Sequence, residues 1–173
     1  LVPVQAHFHE FSKVVIMLDG TVNYTVEGES CPLRVGDVLL VPHHEVHRPV
    51  FSDEGVYERI VLWVDPGYLS SLPGEPGMCF DSCAERGTHV LHPCAALWGG
   101  LCRAASDLER ESDSGAYAAR EARAALFMLV MITLCRCAAA DSAPGSFAGS
   151  IGAAVQYIGS HLSEELSIDR LAG

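Results

Sequence analysis

The segment GDVLLVPHHEVH, residues 36–47, combines three features that decide the fold of this chain. Its Gly-Asp pair predicts a turn, the apolar run from Val38 to Pro42 predicts a buried strand, and histidines fill the connection that follows. A second histidine-rich segment, HFHEF at residues 7–11, precedes the first apolar strand. When both segments lie at the same end of a small barrel, three or four imidazoles meet there. The sequence therefore predicts a cup for a metal or a ligand at one end of a β-barrel.

The residues around these two segments are typical of short antiparallel strands. Residues 22–27 alternate apolar and polar side chains, which is the two-residue period of a strand with two different faces. Asp19-Gly20 and Glu27-Gly28 predict chain reversals on either side of that strand. Residues 47–51 and 56–64 predict further strands. Five or more closely spaced strands in this length indicate a sandwich or a barrel.

Helical patterns replace the strands after Val64. Asp65-Pro66 predicts an N-cap and the first residue of a short helix, whereas residues 79–91 predict one more strand or an irregular excursion. Two long helices are predicted over residues 93–111 and 115–140. The second carries apolar side chains on two faces, so one face can pack on the barrel and the other on a partner subunit. A helix fully buried in a monomer is the alternative.

The C-terminal residues predict a linker followed by helices. Residues 142–150 are mostly small and predict the linker. Residues 151–162 place apolar side chains along one helical stripe, and another helix is predicted to begin at Ser167 as its N-cap. Because this last pattern is interrupted at Gly173, we expect the sequence to be a piece of a longer protein.

The composition limits the classes of function. Acidic residues outnumber basic ones by 22 to 11, a formal net charge of −11, which matches a phosphate backbone poorly. We therefore expect no DNA-contacting residue within residues 1–173. Seven cysteines without a visible secretory segment fit the reducing cytoplasm. The longest apolar run, residues 124–135, is shorter than the roughly 20 residues that span a bilayer, so no membrane partner is expected.

These features resemble the AraC family of bacterial transcription regulators, whose N-terminal sensor domain is cupin-like. The resemblance rests on His7-x-His9-x-Phe11, on Gly20, on Gly36-Asp37-x-Leu39-Leu40-x-Pro42, on His47, and on AVQYIGSHL and LSIDRLA at residues 154–162 and 166–172. It implies a mainly β fold with α, in which a cupin-like jelly-roll barrel is followed by helices and by the first helix or helices of a truncated, all-α helix-turn-helix domain.

The resemblance also divides the chain. It implies a ligand-sensing barrel at residues 1–92, dimerisation helices at residues 93–141, a linker at residues 142–150 and the start of a DNA-binding domain at residues 151–173. The implied protein is a ligand-responsive regulator rather than an enzyme. It forms a homodimer, binds a small-molecule effector, requires no cofactor and reaches DNA through a part beyond residue 173.

The histidine cluster allows three interpretations. His7 and His9 are two residues apart, so on an extended segment both imidazoles point the same way, and His47 can approach them across the barrel. Three neutral imidazoles can bind Zn²⁺, Ni²⁺ or Fe²⁺, with Glu10 or His44 as a fourth ligand. A metal-free pocket for a polar effector and purely structural histidines are the alternatives.

Two positions differ from the metal-binding cupins, which the sequence also resembles here. Those proteins carry a Glu where this chain has Lys13 and a Gly where it has His44. An ammonium beside histidines disfavours a cation and favours a carboxylate or hydroxyl group, provided that Lys13 points into the barrel. Tyr24, Glu58 and Trp63 are further candidates for the pocket lining. The alternative function is a metal-dependent cupin enzyme, an oxygenase or isomerase that uses His7, His9 and His47.

Overall fold

The computed structural model describes residues 4–51 and 56–141, which form strands followed by helices. The strands are β1 (Ser12–Asp19), β2 (Thr21–Val26), β3 (Glu29–Arg34), β4 (Val38–Val41), β5 (His47–Val50), β6 (Glu58–Val64) and β7 (Val90–Leu91). The helices are α1 (Pro66–Ser71), α2 (Met78–Arg86), α3 (Ala95–Ser112) and α4 (Ala119–Asp141).

The strands form two sheets in the order β6-β1-β4-β7 and β3-β2-β5, and every pairing is antiparallel. Gly20 joins β1 to β2 with a φ of 79°, in the left-handed region that side chains disfavour. A Cβ at this position would also collide with the carbonyl oxygen of Val56. The close turn between the two sheets therefore depends on glycine.

Strand β1 is buried on both faces, because it lies between two apolar clusters. Val15 and Met17 point between the sheets, where Val22, Tyr24, Leu33 and Leu39 complete the barrel core. Val14 and Ile16 point the opposite way, into a second cluster that the helices share. The apolar run within β1 is continuous because both faces of this strand are buried.

The helices cover the outer face of the four-stranded sheet. Asp65 caps α1 by accepting a 2.6 Å hydrogen bond from the backbone N–H of Tyr68, and Pro66 begins the helix. Helices α3 and α4 pack together over the sheet, and Leu101, Val130 and Leu134 are fully buried there. The molecule is consequently layered as sheet, sheet and helices.

The predicted arrangement, a β-rich domain of two antiparallel sheets followed by helices, is confirmed. The prediction for residues 79–91 is wrong in one respect, because its first half is α2 and the strand shrinks to Val90–Leu91. Cys79, Phe80 and Cys83 are buried at helical spacing. The linker predicted at residues 142–150 and the helices predicted beyond it lie outside the described residues.

The apolar character of helix α4 extends beyond the run at residues 124–135 that the sequence shows. The helix is long and apolar enough to cross a membrane by length and composition, with a mean hydropathy of 1.8, and a core helix passes the same test. One face is accounted for by packing, since Val130, Met131 and Leu134 are fully buried. Leu129 and Ile132 on another face are 48% and 38% exposed.

Candidate ligand and metal site at the histidine end of the barrel

The backbone brings the two histidine segments together. His7 and His47 form an isolated antiparallel bridge, in which each backbone N–H donates to the carbonyl of the other at 3.1 and 2.9 Å. The backbone N–H of His44 donates to the His9 carbonyl at 2.8 Å and holds the next residues in place. The segment before β1 thus extends alongside the β4–β5 connection, and this pairing sets the position of all three imidazoles.

The rings of His7, His9 and His47 form one compact group. Their centroids are 4.8 Å apart for His7 and His9, 4.8 Å for His7 and His47, and 5.4 Å for His9 and His47. One ring nitrogen from each residue lies within 4.8 Å of the other two. In the part of the chain that the structure describes, this is the one group of three ligand-type side chains so close together.

Hydrogen bonds to the backbone define which ring nitrogens are available. Nδ1 of His7 lies 2.8 Å from the Gln5 carbonyl, and Nδ1 of His47 lies 3.0 Å from the Glu45 carbonyl. A carbonyl only accepts, so both Nδ1 atoms carry the proton and both Nε2 atoms keep a free lone pair. Nε2 of His47 is buried without a hydrogen-bond partner among the described residues. Such an orphaned acceptor indicates a place for a ligand.

The surroundings keep the imidazoles of His9 and His47 neutral. Burial lowers the pKa of His47 to about 4, with smaller effects from Lys13 and the other two histidines. Burial also lowers the pKa of His9, assisted by His7 and Lys13. Neutral rings at pH 7 are what both a metal ion and a hydroxyl donor require.

Lys13 points into the barrel, as the effector interpretation requires. It shares the inner face of β1 with Val15 and Met17, and its Nζ lies 5.6 Å from the centroid of the Tyr24 ring. Burial lowers the pKa of Lys13, and Arg59 lowers it further. The position where metal-binding cupins carry a carboxylate is thus occupied by a partly desolvated amine.

The three imidazoles fit a divalent metal after a small adjustment. Zn–N bonds of about 2.05 Å in a tetrahedral site place ligand nitrogens about 3.3 Å apart, so the group would contract by at most about 1.5 Å. The backbone acceptors on Nδ1 of His7 and His47 are the outer contacts that orient metal-ligating histidines. Borderline-soft Zn²⁺, Ni²⁺ and Fe²⁺ suit this all-nitrogen donor set.

The structure does not bring the two predicted fourth ligands to this group. Glu10 is exposed, and His44 is exposed with its ring 6.3 Å from Phe8. His44 has a φ of 70°, in the left-handed region. The glycine that metal-binding cupins carry here is therefore explained by backbone conformation, because glycine adopts this region without strain.

The three predicted lining residues have different positions. Tyr24 is 1% exposed and faces Lys13, and its pKa is raised by burial and by the Tyr57 hydroxyl. Trp63 is 72% exposed at the mouth, 5.6 Å from Phe11. Glu58 does not line the cup: it is exposed and shares the strand face of residues 60 and 62, which pack on the helix side.

One residue of the site, Phe11, was missed by the sequence analysis, and so was the partial burial of Glu45 in the connection between β4 and β5. Phe11 stacks on His9 at 4.4 Å with an interplanar angle of 12° and fixes that ring, which has no hydrogen bond among the described residues. The carboxyl of Glu45 is partly buried 3.4 Å from His89, and burial raises its pKa to about 7. No local pattern distinguishes Glu45 from a solvated loop residue, because its neighbours come from distant elements.

Comparisons with known proteins define the class of fold. Residues 3–64 match the family model described as cupin domain. The crystal structure of the AraC-like transcriptional activator CuxR is similar over 94% of this chain and 55% of that one, with a TM-score of 0.54 and 16% identity. The β-rich part is thus a cupin-like domain, and the helices that follow it give the whole a fold like that of an AraC-like activator.

Other solved structures cover less of the chain. KdgF from Halomonas sp. is 29% identical over 35% of this chain and 56% of that one, with a TM-score of 0.33. Oxalate decarboxylase from Bacillus subtilis is 19% identical over 49% of this chain and 25% of that one, with a TM-score of 0.31. No curated protein matches the sequence significantly. This chain spans about half the length of the first solved structures that it matches.

Proposed function

We propose that this chain is the sensing and dimerisation part of a ligand-responsive transcription regulator of AraC type. The observation that carries the proposal is the order of the parts, a cupin-like domain followed by α3 and α4, in a fold similar to an AraC-like activator over 94% of the chain. The sequence motifs before residue 48 and after residue 153 support the same assignment.

The effector of this regulator is a small hydroxy-carboxylate. The free Nε2 atoms of His7 and His47 accept hydrogen bonds, so they select a ligand with hydroxyl donors. Lys13 supplies an ammonium on the inner face of the barrel, which selects a carboxylate. A ligand that carries both groups satisfies the orphaned Nε2 of His47 and the desolvated Lys13 together.

Signal transfer to the helices runs through β1 and its neighbours. Residues on the inner face of β1 meet the effector, while Val14 and Ile16 on its outer face pack in the cluster that α3 and α4 share. A shift of β1 on ligand binding therefore changes the packing of the helices. Leu129 and Ile132 leave an exposed apolar face on α4, which we assign to the homodimer contact.

The proposal also assigns a role in the regulator to each segment of the chain. Residues 1–92 act as the sensor, residues 93–141 as the dimerisation helices, residues 142–150 as the linker and residues 151–173 as the start of the DNA-binding domain. DNA is bound by the part of the regulator that follows, in the cytoplasm. The spacing of the two DNA-binding domains is then the quantity that the effector controls.

The experiment uses the full-length regulator and its operator. Replacing His7 and His47 by Ala is expected to abolish the effector response of a reporter gene while leaving basal operator binding intact. His43→Ala is the matched control, because His43 is exposed in the same connection outside the group. An unchanged effector dose response in the double variant would contradict the proposal.

A metal-dependent cupin enzyme is the second candidate, and the close grouping of His7, His9 and His47 favours it. These residues would hold the ion through ring nitrogens. A bound Fe²⁺ or Mn²⁺ would supply Lewis-acid or oxygen chemistry at that position. Metal analysis of protein purified without a nickel resin separates the candidates: near-stoichiometric Fe or Mn supports the enzyme, and a protein free of both supports the regulator.

A further inference from the structure

A cavity that is open to solvent lies between the end of β6, α1 and the two long helices. Its volume is about 390 Å³, within the range of roughly 300–1,000 Å³ that is typical of small-molecule sites. Trp63, Tyr68, Leu108, Arg120, Arg123 and Phe127 line most of it. None of the three clustered histidines contributes to the lining, so this cavity is distinct from the histidine site.

The aromatic side of the cavity has uncovered ring faces. Trp63 is 72% exposed and Tyr68 is 44% exposed, although both are large side chains. The ring of Phe127 lies 5.5 Å from that of Tyr68 and continues the surface onto α4. A planar aromatic ring can cover these faces by stacking, which stabilises an aromatic pair beyond simple burial.

The opposite side of the cavity is cationic. Arg120 and Arg123 are three residues apart on α4 and therefore lie on one helix face. Nη1 of Arg123 donates to the carbonyls of Glu111 and Ser112 at the end of α3, at 3.3 and 3.0 Å, which holds this guanidinium at the cavity. Arg120 is exposed and makes no hydrogen bond or ion pair with any residue of the described ranges.

The only acidic lining residue does not neutralise both arginines. Asp65 also lines the cavity, but its Oδ1 accepts the capping hydrogen bond from the N–H of Tyr68. Two guanidinium charges against one carboxylate leave one positive charge in the lining. In a chain with a net charge of −11, such a local excess of positive charge selects an anion.

We infer that this cavity binds a small aromatic carboxylate. Its ring stacks on Trp63 and Tyr68, and its carboxylate pairs with the guanidinium of Arg120, a geometry that two parallel N–H donors favour. The site goes beyond the proposed function, because none of the three clustered histidines lines it and it shares only Trp63 with the residues considered for the histidine site.

A ligand in this cavity would contact both the sheet and the helices. Trp63 belongs to β6 and Tyr68 to α1, whereas Arg120 belongs to α4. One ligand therefore contacts the elements on both sides of the junction. Trp63 also lies 5.6 Å from Phe11, which stacks on His9 at 4.4 Å, so the second site adjoins the first through two ring contacts.

The test is a benzoate titration followed by NMR of the indole N–H groups. The chain has two tryptophans, Trp63 and Trp98, and Trp98→Phe identifies the signal of Trp63. Benzoate is expected to shift the Trp63 signal in a saturable way and to leave Trp98 unchanged. Cyclohexanecarboxylate, which lacks the flat ring, and benzyl alcohol, which lacks the charge, are each expected to bind at least about tenfold more weakly.

Matched variants locate the site. Arg120→Gln is expected to weaken benzoate binding about tenfold or more, the effect of losing a charged hydrogen-bond partner. Arg103→Gln, an exposed arginine of α3 outside the lining, is the control and should leave the affinity unchanged. An unaffected Trp63 signal, or equal affinities for wild type and Arg120→Gln, would overturn the inference. Equal binding of benzoate and cyclohexanecarboxylate would do the same.

Discussion

The histidine end of the barrel and the cluster between the sheet and the helices lie on opposite sides of one strand, β1, which contributes Lys13 to the first and Val14 and Ile16 to the second. On the helix side, Val14, Ile16 and Leu134 are fully buried among apolar partners. On the barrel side, Lys13 lies near imidazoles, and Nε2 of His47 has no partner among the described residues. Burial without hydrogen-bond satisfaction costs stability. The difference therefore separates a face that stabilises the fold from the face at which we propose that a ligand binds.

The largest expected effect comes from the helix-side cluster. Leu134→Ala removes a fully buried side chain of α4 and should lower the free energy of unfolding by about 2–5 kcal/mol, which urea denaturation measures. Arg136→Ala, exposed on the same helix, is the control and should change it by less than about 0.5 kcal/mol. Equal stability losses in the two variants would remove the distinction between the faces.

The next effect concerns metal affinity on the barrel side. His47→Ala removes one of the three imidazoles and should weaken Zn²⁺ binding more than about 100-fold, beyond the 10–100-fold that loss of an outer contact costs. Competition with a chromophoric chelator measures this change. His43→Ala, in the same connection, should leave Zn²⁺ affinity unaltered. If both variants bind Zn²⁺ like the wild type, the ion binds elsewhere.

A smaller change in Zn²⁺ affinity is expected from reversing the charge of Lys13 beside the histidines. Lys13→Glu places a carboxylate where the amine stands, so Zn²⁺ affinity should rise about tenfold, while binding of a hydroxy-carboxylate is lost. Lys13→Met removes the charge alone and should give a Zn²⁺ affinity between the other two. Calorimetric titration measures all three proteins. A decrease in Zn²⁺ affinity on Lys13→Glu would show that residue 13 does not face the ion.

The smallest effect is a change in stability on replacing His44, which lies outside both the histidine group and the helix-side cluster. With a φ of 70°, this residue is strained, and His44→Gly should raise the free energy of unfolding by about 0.5–1 kcal/mol. His43→Gly, at a position without positive φ, should lower it by a similar amount because of the added chain entropy. Thermal denaturation compares the two. Destabilisation by His44→Gly would mean that the imidazole has a structural contact.

Much of the fold was predictable because it depends on local periodicity. Alternation in β2 and the apolar runs of β1 and β4 are visible in the sequence, and so is the cap at Asp65. Helix α2 was not predicted, because its buried positions are two cysteines and one phenylalanine in only nine residues. In so short a segment, the helical and strand periods are hard to distinguish.

The positions of the candidate site residues were predictable only where they follow from the alternation of side chains along an extended strand. The common direction of His7 and His9 follows from their spacing, and the inward position of Lys13 follows from the alternation along β1. The proton positions on His7 and His47 depend on backbone carbonyls, which no side-chain pattern reports. The cavity beside Trp63 depends on how four elements pack, so Arg120 and Arg123 carried no local signal.

Ligand-dependent melting shows whether the histidine end of the barrel binds a ligand. The melting temperature of the wild type and of the His7→Ala, His47→Ala double variant would be measured with gluconate, tartrate, malate and Zn²⁺. A ligand that binds the folded state alone raises the melting temperature by several degrees at about 100 times its Kd. We expect such a rise with at least one hydroxy-carboxylate in the wild type and none in the double variant. No rise in the wild type, or equal rises in both proteins, would contradict it.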